Sequence, residues 1–306
     1  MTARADKDGA VRIAGIAITH PGRVLYPKQG ATKRDLAEYY VAMADRILPF
    51  LAGRPLSLVR CPSGEGGNCF FQKHHNDTTP PAIKKIMIAE KSGKKAPYLM
   101  INNLSGLIAS AQIGALELHV WGARADRIEQ PERIVFDLDL DEGVSFARVR
   151  EAARDVRDLL KRAGLESFPL ITGGKGIHVI APIERRSAWP EVKSFSRALA
   201  TTLEAAAPDR YVASAPKARR KGKIFIDWLR NERGATAVAP YSPRARDGAP
   251  IATPVTWSEL TRLASPAAFT LSNIGRRIAA LKSDPWDDYR SLRQVLTKGG
   301  LEAQKS

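Results

Sequence analysis

Ile134-Val135-Phe136-Asp137-Leu138-Asp139-Leu140 is an apolar run that turns acidic at every second position towards its end. Successive side chains of a strand point to opposite faces. The stretch therefore predicts a strand that carries Asp137 and Asp139 side by side and turns Phe136, Leu138 and Leu140 to the core. Two adjacent carboxylates repel each other unless a cation lies between them. Hard oxygen ligands of this kind suit Mg2+ or Mn2+. With Asp141, the same acids imitate the opening of a calcium loop, which needs Gly at its sixth position and Glu at its twelfth. Glu142 and Arg148 stand there, and a strand precedes them where a helix is required, so a calcium loop is excluded.

The residues downstream build a unit around this strand. Phe146 to Ala163 carries Val149, Ala153, Val156 and Leu160 at helical spacing, with Gly164 to end the helix. Short strands over 169–172 and 177–180 flank Gly173-Gly174-Lys175-Gly176, and a further helix is expected over 191–206. The strand Lys223-Ile224-Phe225-Ile226-Asp227-Trp228 sets Asp227 among apolar neighbours, where an unpaired charge is costly. A metal shared with Asp137 and Asp139 would pair it, as would a salt bridge to one of the arginines. Three carboxylates from two strands match the needs of a two-metal phosphoryl-transfer site, with ions about 3.5–4 Å apart.

Upstream, a helix is predicted over 33–48. Thr32 and Asp35 have capping-box spacing, Leu36, Tyr39, Tyr40, Met43 and Ile47 form one stripe, and Pro49 is expected to stop it. A strand over 56–60 leads into the glycine-rich loop 62–68. Lys84, Lys85, Lys91, Lys94 and Lys95, with the turn signal Ser92-Gly93, read as a basic hairpin or exposed loop. A buried helix is expected over 104–115, followed by a strand over 116–121 with Glu117, His119 and Trp121 on one face. The segment beyond Leu271 reads as a helical tail. Residues 1–11 read as a flexible tail, 12–300 as one catalytic α+β domain, and 301–306 as a second flexible tail.

Around the acids lie groups suited to phosphate. In Thr172-Gly173-Gly174-Lys175-Gly176-Ile177-His178 the glycines let backbone N–H groups approach an anion. Lys175 adds a point charge there, and Thr172 and His178 can donate hydrogen bonds. The loop is not a Walker A motif, which has the form GxxxxGK[ST]. Lys217, Arg219, Arg220, Lys221 and Lys223 form a basic run that leads into Asp227, and Arg244 and Arg246 follow the turn at 241–243. Phe70 and Phe71 are adjacent, so a strand there would turn one to the core and leave the other for base stacking.

The chain has 306 residues with 48 Lys and Arg against 32 Asp and Glu, a formal net charge of +16. That balance points to a polyanion, with nucleic acid ahead of a membrane surface. A hydrophobic share of 44% excludes wholesale disorder, and no apolar run reaches the roughly 18 residues of a membrane span. The N-terminus lacks the apolar stretch of a secretory signal. Cys61 and Cys69 cannot build a disulfide framework, and with no CxxC spacing a zinc site with His74 and His75 is not expected. A reducing cytoplasm is the expected compartment.

Taken in order, several blocks resemble the polymerase domain of bacterial DNA ligase D, within the archaeo-eukaryotic primase superfamily. They are Val24-Leu25-Tyr26-Pro27, Gly53-Arg54-Pro55, Phe70-Phe71, Leu116-Glu117-Leu118-His119-Val120, Phe136-Asp137-Leu138-Asp139, Gly174-Lys175-Gly176-Ile177-His178, Ile226-Asp227-Trp228 and Ala239-Pro240-Tyr241-Ser242. The resemblance runs from about Ile18 to Leu263. It implies a primase–polymerase fold, with two mixed or antiparallel β-sheets and flanking helices around an acidic catalytic cleft.

The resemblance implies that Asp137, Asp139 and Asp227 are catalytic metal ligands for two ions, Mn2+ or Mg2+. Thr172, Gly174, Lys175 and His178 would bind the nucleoside triphosphate, ribo or deoxy, with His119 and Arg244 beside it. Phe70 and Phe71 would meet bases, Arg23 and Lys33 a 5′-phosphate at a DNA gap, and Arg220 and Lys221 the DNA. Arg23 stands where members often have Lys, and Thr172 where they often have Ser, with the charge and the hydroxyl kept. The implied activity is nucleotidyl transfer, preferably of ribonucleotides, to primer ends at gaps and double-strand breaks in bacterial non-homologous end joining. The implied setting is a monomer in the bacterial cytoplasm, at the nucleoid and away from membranes, working with Ku and with ligase and nuclease modules. Two other classes answer part of the pattern. One is a glycosyltransferase using Asp137-x-Asp139 to hold a nucleotide-sugar, which has no use for the +16 charge. The other is a non-catalytic DNA-binding protein whose acids are structural.

Overall fold

The computed structural model describes residues 9–90, 92–139 and 143–297. Leu140, Asp141 and Glu142, Lys91, and the tails 1–8 and 298–306 lie outside the described residues, as does the side chain of Lys217. The described chain divides into two compact units. The first takes 1–120, 238–251 and 269–275; the second takes 121–237, 252–268 and 276–306.

The first unit opens with the hairpin β1 (Val11–Ile13) and β2 (Ile16–Ile18), so regular structure begins at Val11, inside the stretch read as a tail. A second small ladder, β3 (Val24–Tyr26) with β4 (Ala31–Thr32), leads into α1 (Lys33–Leu51). Its capping box forms as expected: Thr32 N–H donates to Asp35 Oδ2 at 2.7 Å, and Asp35 N–H to Thr32 Oγ1 at 3.3 Å. Pro49 does not stop the helix. It falls in the last turn, where few intrahelical bonds remain to lose, and burial of Phe50 and Leu51 carries the helix on to Leu51.

Five further strands form the sheet of this unit: β5 (Pro55–Arg60), β6 (Phe70–Gln72), β7 (Lys84–Ala89), β8 (Lys95–Met100) and β9 (Ala115–Trp121). The order is Thr236–Val238, β9, β5, β8, β7, with β6 also paired to β5. The basic hairpin is β7 and β8, and α2 (Leu104–Gln112) precedes β9. Register explains the cysteines. Arg60 faces Phe70 across β5 and β6, so the next residues out, Cys61 and Cys69, meet and form a disulfide. That bond corrects the expectation of reduced thiols and removes the compartment argument built on them.

The second unit centres on β10 (Arg133–Asp139). After it come α3 (Phe146–Arg162), β11 (Phe168–Ile171), β12 (Ile177–Pro182), α4 (Trp189–Ala206), β13 (Tyr211–Val212) and β14 (Ile224–Asp227). The order is β13, β14, β10, β12, β11, Thr253–Pro254, antiparallel throughout except that β13 runs parallel to β14. Buried Val149, Ala152, Ala153, Val156, Leu159 and Leu160 give α3 its packing face, and α3 and α4 touch each other and β10. Among the described residues no helix is long and apolar enough to cross a membrane.

One close approach sets the spacing beside the acids. A Cβ on Gly176 would lie 2.1 Å from the Leu138 carbonyl oxygen, a backbone atom held by its own ladder. Gly176→Ala is expected to cost about 1–3 kcal/mol or more of stability, the scale of overpacking against an atom that cannot rotate away. Urea denaturation measures it; an unchanged midpoint would mean that β10 and β12 part to admit a methyl group.

Candidate active site

The acidic row arises from register. Asp137 on β10 sits opposite His178 of β12 on one side and opposite Asp227 of β14 on the other. Directly opposed residues share a face of the sheet, so the three side chains converge, and Asp139, two residues along, joins them. Asp137, His178 and Asp227 are buried, and Asp139 at the strand end is exposed. His178 Nε2 lies 3.3 Å from Asp137 Oδ1. Desolvation and the neighbouring Asp137 push the Asp139 carboxyl up to about 6. The Asp227 carboxyl is raised by burial, opposed by Arg230 and raised further by Asp137.

Arg230 is the cation that answers this crowding. It follows β14 in the short turn Leu229–Asn231, with Nη2 at 3.2 Å from Asp137 Oδ2 and Nε at 3.1 Å from Asp227 Oδ2. The same turn is tied to β10 through Asn231, which accepts from Val135 N–H at 2.8 Å and donates to Val135 O at 2.7 Å. Among the described residues no three His, Cys, Asp or Glu side chains already form a metal-binding cluster. With the guanidinium between two of the three acids this is expected. The donor set itself fits a hard divalent cation: carboxylate oxygens on one face, with two carboxyls raised by mutual repulsion and desolvation.

The glycine loop lies between β11 and β12. The Thr172 hydroxyl braces the loop. Oγ1 donates to Gly176 O at 3.0 Å and accepts from Gly174 N–H at 3.2 Å and Gly176 N–H at 3.3 Å. Gly173 takes a left-handed φ of 65° and donates to Pro266 O. Lys175 is exposed at the tip. Of the basic run, Arg220 is held over the Phe225 ring at 3.7 Å and Lys221 is exposed.

The first unit carries its own polar cluster. On β9, buried Glu117 meets His119 Nε2 at 2.6 Å and Arg244 Nε at 3.1 Å, and accepts from Ala245 N–H at 2.9 Å. Although burial works the other way, the His119 hydrogen bond and the Arg244 charge bring its carboxyl down to about 2. Phe70 and Phe71 are both exposed, at 47% and 69%, against the expectation that one would enter the core; β6 is a short strand paired on one side only. Arg60 lies over Phe70, and Phe71 stands edge-on to His119 at 5.8 Å. Exposed Arg23 donates to Pro62 O, while Lys33 is buried and donates to Thr19 O at 2.9 Å. Burial, and then the Arg23 charge, lower the Lys33 ammonium. His74, weighed for zinc, faces Glu90 at 3.3 Å.

Comparison with known proteins accounts for this combination. Residues 32–286 match the family model of the LigD primase-polymerase domain. The chain belongs to the LigD primase–polymerase family. Members of that family are nucleotidyltransferases, and this chain is an enzyme of that class. It is 41% identical over 298 residues to the multifunctional non-homologous end joining protein LigD of Pseudomonas aeruginosa, covering 96% of this chain and 35% of that one. It is 37% identical over 254 residues to the Mycolicibacterium smegmatis protein of the same description, covering 82% and 33%. The chain thus spans about a third of the length of these relatives. Among solved structures it is similar to the polymerase domain of Mycobacterium tuberculosis ligase D in complex with DNA. There the TM-score is 0.83 at 35% identity, covering 90% of this chain and 98% of that one. The α+β sheets and helices described above are therefore those of the LigD polymerase fold.

Sequence reasoning missed one residue in each of these two clusters. Arg230 lies three positions past Asp227, one turn on, a spacing that could have suggested the ion pair. Glu117 was placed on the His119 face but given no role, because its partner Arg244 is 127 positions away and only the fold joins them. Arg230→Ala would leave Asp137 and Asp227 without their shared counter-charge. The expected loss is about 1–2 kcal/mol at neutral pH, less than for a fully buried pair because the guanidinium is partly exposed. Without Arg230 the Asp227 carboxyl titrates still higher, so the loss is present at pH 7.5 and shrinks as pH falls and the acid takes up a proton. Thermal melts at pH 7.5 and pH 5 test this, and an equal loss at both would show that the pairing is not electrostatic.

Proposed function

We propose that the chain is a DNA-dependent polymerase that adds nucleotides, preferably ribonucleotides, to primer 3′ ends at gaps and double-strand breaks in bacterial non-homologous end joining. The row Asp137, Asp139 and Asp227 on one face of β10 and β14 carries the reading, in a family of nucleotidyltransferases and on a chain of +16 charge.

In this reading Asp137, Asp139 and Asp227 would hold two Mn2+ or Mg2+ ions. Bound there, such ions supply Lewis-acid activation of a primer 3′-hydroxyl and neutralise charge on the transferring phosphate. The protein's own residues supply position and field. Asp227 is held in place by the Leu229 N–H at 2.9 Å, and Arg230 balances the charge of Asp137 and Asp227. The loop braced by Thr172 presents Lys175 as a point charge to leaving pyrophosphate, with Gly174 at its approach and His178 beside Asp137. His119 and Arg244 serve the incoming triphosphate. Phe70 and Phe71 offer exposed rings for base stacking. Arg23 and Lys33, two cations close enough to repel, suit a 5′-phosphate. Arg220 and Lys221 contact the DNA backbone. The partners are gapped or broken DNA, nucleoside triphosphates, Ku, and ligase and nuclease modules. The working form is a monomer in the bacterial cytoplasm, at the nucleoid.

Nucleotide addition to a 5′-phosphorylated gapped duplex with Mn2+ tests the proposal. The wild type is expected to extend the primer with each templated ribonucleotide, and faster than with the deoxy form. Asp137→Ala is expected to lose incorporation while keeping salt-sensitive DNA binding. Binding without addition by the wild type would leave a DNA-binding protein whose acids are structural. Metal loading should depend on pH as well. With the Asp139 carboxyl near 6, metal must displace a proton below that pH, so Mn2+ affinity should fall about fivefold from pH 6 to pH 5. Calorimetry on the DNA-free protein reads this directly, and affinity flat between pH 5 and 7 would show that metal displaces no proton from Asp139 in that range.

A further inference from the structure

We infer that Glu117 is the positioning residue that binds His119 and Arg244 into one anion-receiving pair, set for the triphosphate of the incoming nucleotide. The inference deepens the polymerase reading above and rests on it.

A buried carboxylate is costly unless it is paired, and Glu117 is paired three times by groups from two chain segments. Oε2 meets both His119 Nε2 and Arg244 Nε, while Oε1 accepts the Ala245 N–H. An ionised carboxylate can only accept, so the hydrogen of the 2.6 Å contact lies on His119 Nε2 and the ring is held in orientation, and Nδ1 donates to an anion when the ring takes a second proton. The Arg244 guanidinium is a flat fork, and the charge of Glu117, with Oε2 at 3.1 Å from Nε, keeps it beside the acid. On its other side the His119 ring meets the edge of Phe71. One acid thus aligns two side chains that otherwise have several rotamers each.

The loop carrying Arg244 does not need Glu117 to stay on the sheet. Leu118 N–H donates to Ser242 Oγ at 2.8 Å, Ala239 N–H donates to Leu118 O at 2.8 Å, and Tyr39 Oη donates to Tyr241 O at 2.6 Å. Arg244 N–H further donates to Pro250 O. The backbone is therefore fixed by neighbouring bonds, and what Glu117 adds is the aim of the two side chains.

Kinetics on the gapped duplex separate this role from a merely structural one. Glu117→Gln keeps the shape but turns an N–H towards donors. Its KM for the nucleotide is expected to rise about tenfold, the scale of one charge-assisted hydrogen bond, with kcat changed far less and DNA affinity unaltered. Glu117→Asp, with the charge kept on a shorter arm, should fall between the two, and serves if the Gln variant does not fold. Because Glu117 acts partly through Arg244, Glu117→Gln should cost less on top of Arg244→Ala than it does in the wild type. An unchanged KM, or effects that multiply in the double variant, would overturn the inference. Calorimetry with inorganic tripolyphosphate repeats the comparison without catalysis. If the wild type adds no nucleotide yet binds tripolyphosphate more tightly than Glu117→Gln, the polymerase reading falls and the positioning role stands. Equal binding by both removes the role.

Discussion

The register of β10 against its two neighbours is the constraint on which the rest of the site depends. Asp137 lies opposite His178 and Asp227 at once, so a one-residue slip of either partner would turn its side chain to the other face and break the row. The register is defended from both sides. Gly176 lets β12 approach the Leu138 carbonyl where no other residue fits, and the Asn231 amide pairs with both backbone groups of Val135 as a strand would. Phe136 and Leu138, wholly buried on the opposite face, hold the strand in phase.

Concentrating acids in this way is costly, and the structure manages the cost with few groups. Arg230 spans Asp137 and Asp227, while Asp139, at the strand end, is left with a raised carboxyl. Glu117 shows the opposite balance: one acid held far below its ordinary range by His119 and Arg244. The difference is a matter of partners. Three carboxylates with one guanidinium retain a demand for positive charge, and one carboxylate between two basic groups does not.

Much of this was legible in local pattern. The alternation around Asp137, the capping box at Thr32, the helical stripe after Phe146 and the basic hairpin all appear as read, since each depends on residues a few positions apart. The departures share one cause. Pro49 is overridden by burial of Phe50 and Leu51, Cys61 meets Cys69 through the β5–β6 register, and both phenylalanines stay exposed because β6 is paired on one side alone.

By itself the sequence determined which residues could do the chemistry: acids two apart on a strand, a third acid on an apolar strand, a lysine among glycines, and a large excess of positive charge. Periodicity and side-chain chemistry are local properties, readable without coordinates. Only the tertiary structure decided which of those groups meet. Asp137 and Asp227 are 90 positions apart and become neighbours through antiparallel pairing, and Glu117 reaches Arg244 because β9 and the loop after Val238 are bonded through Leu118. Long-range pairing depends on how whole sheets bury their faces, and no short stretch of chain carries that information.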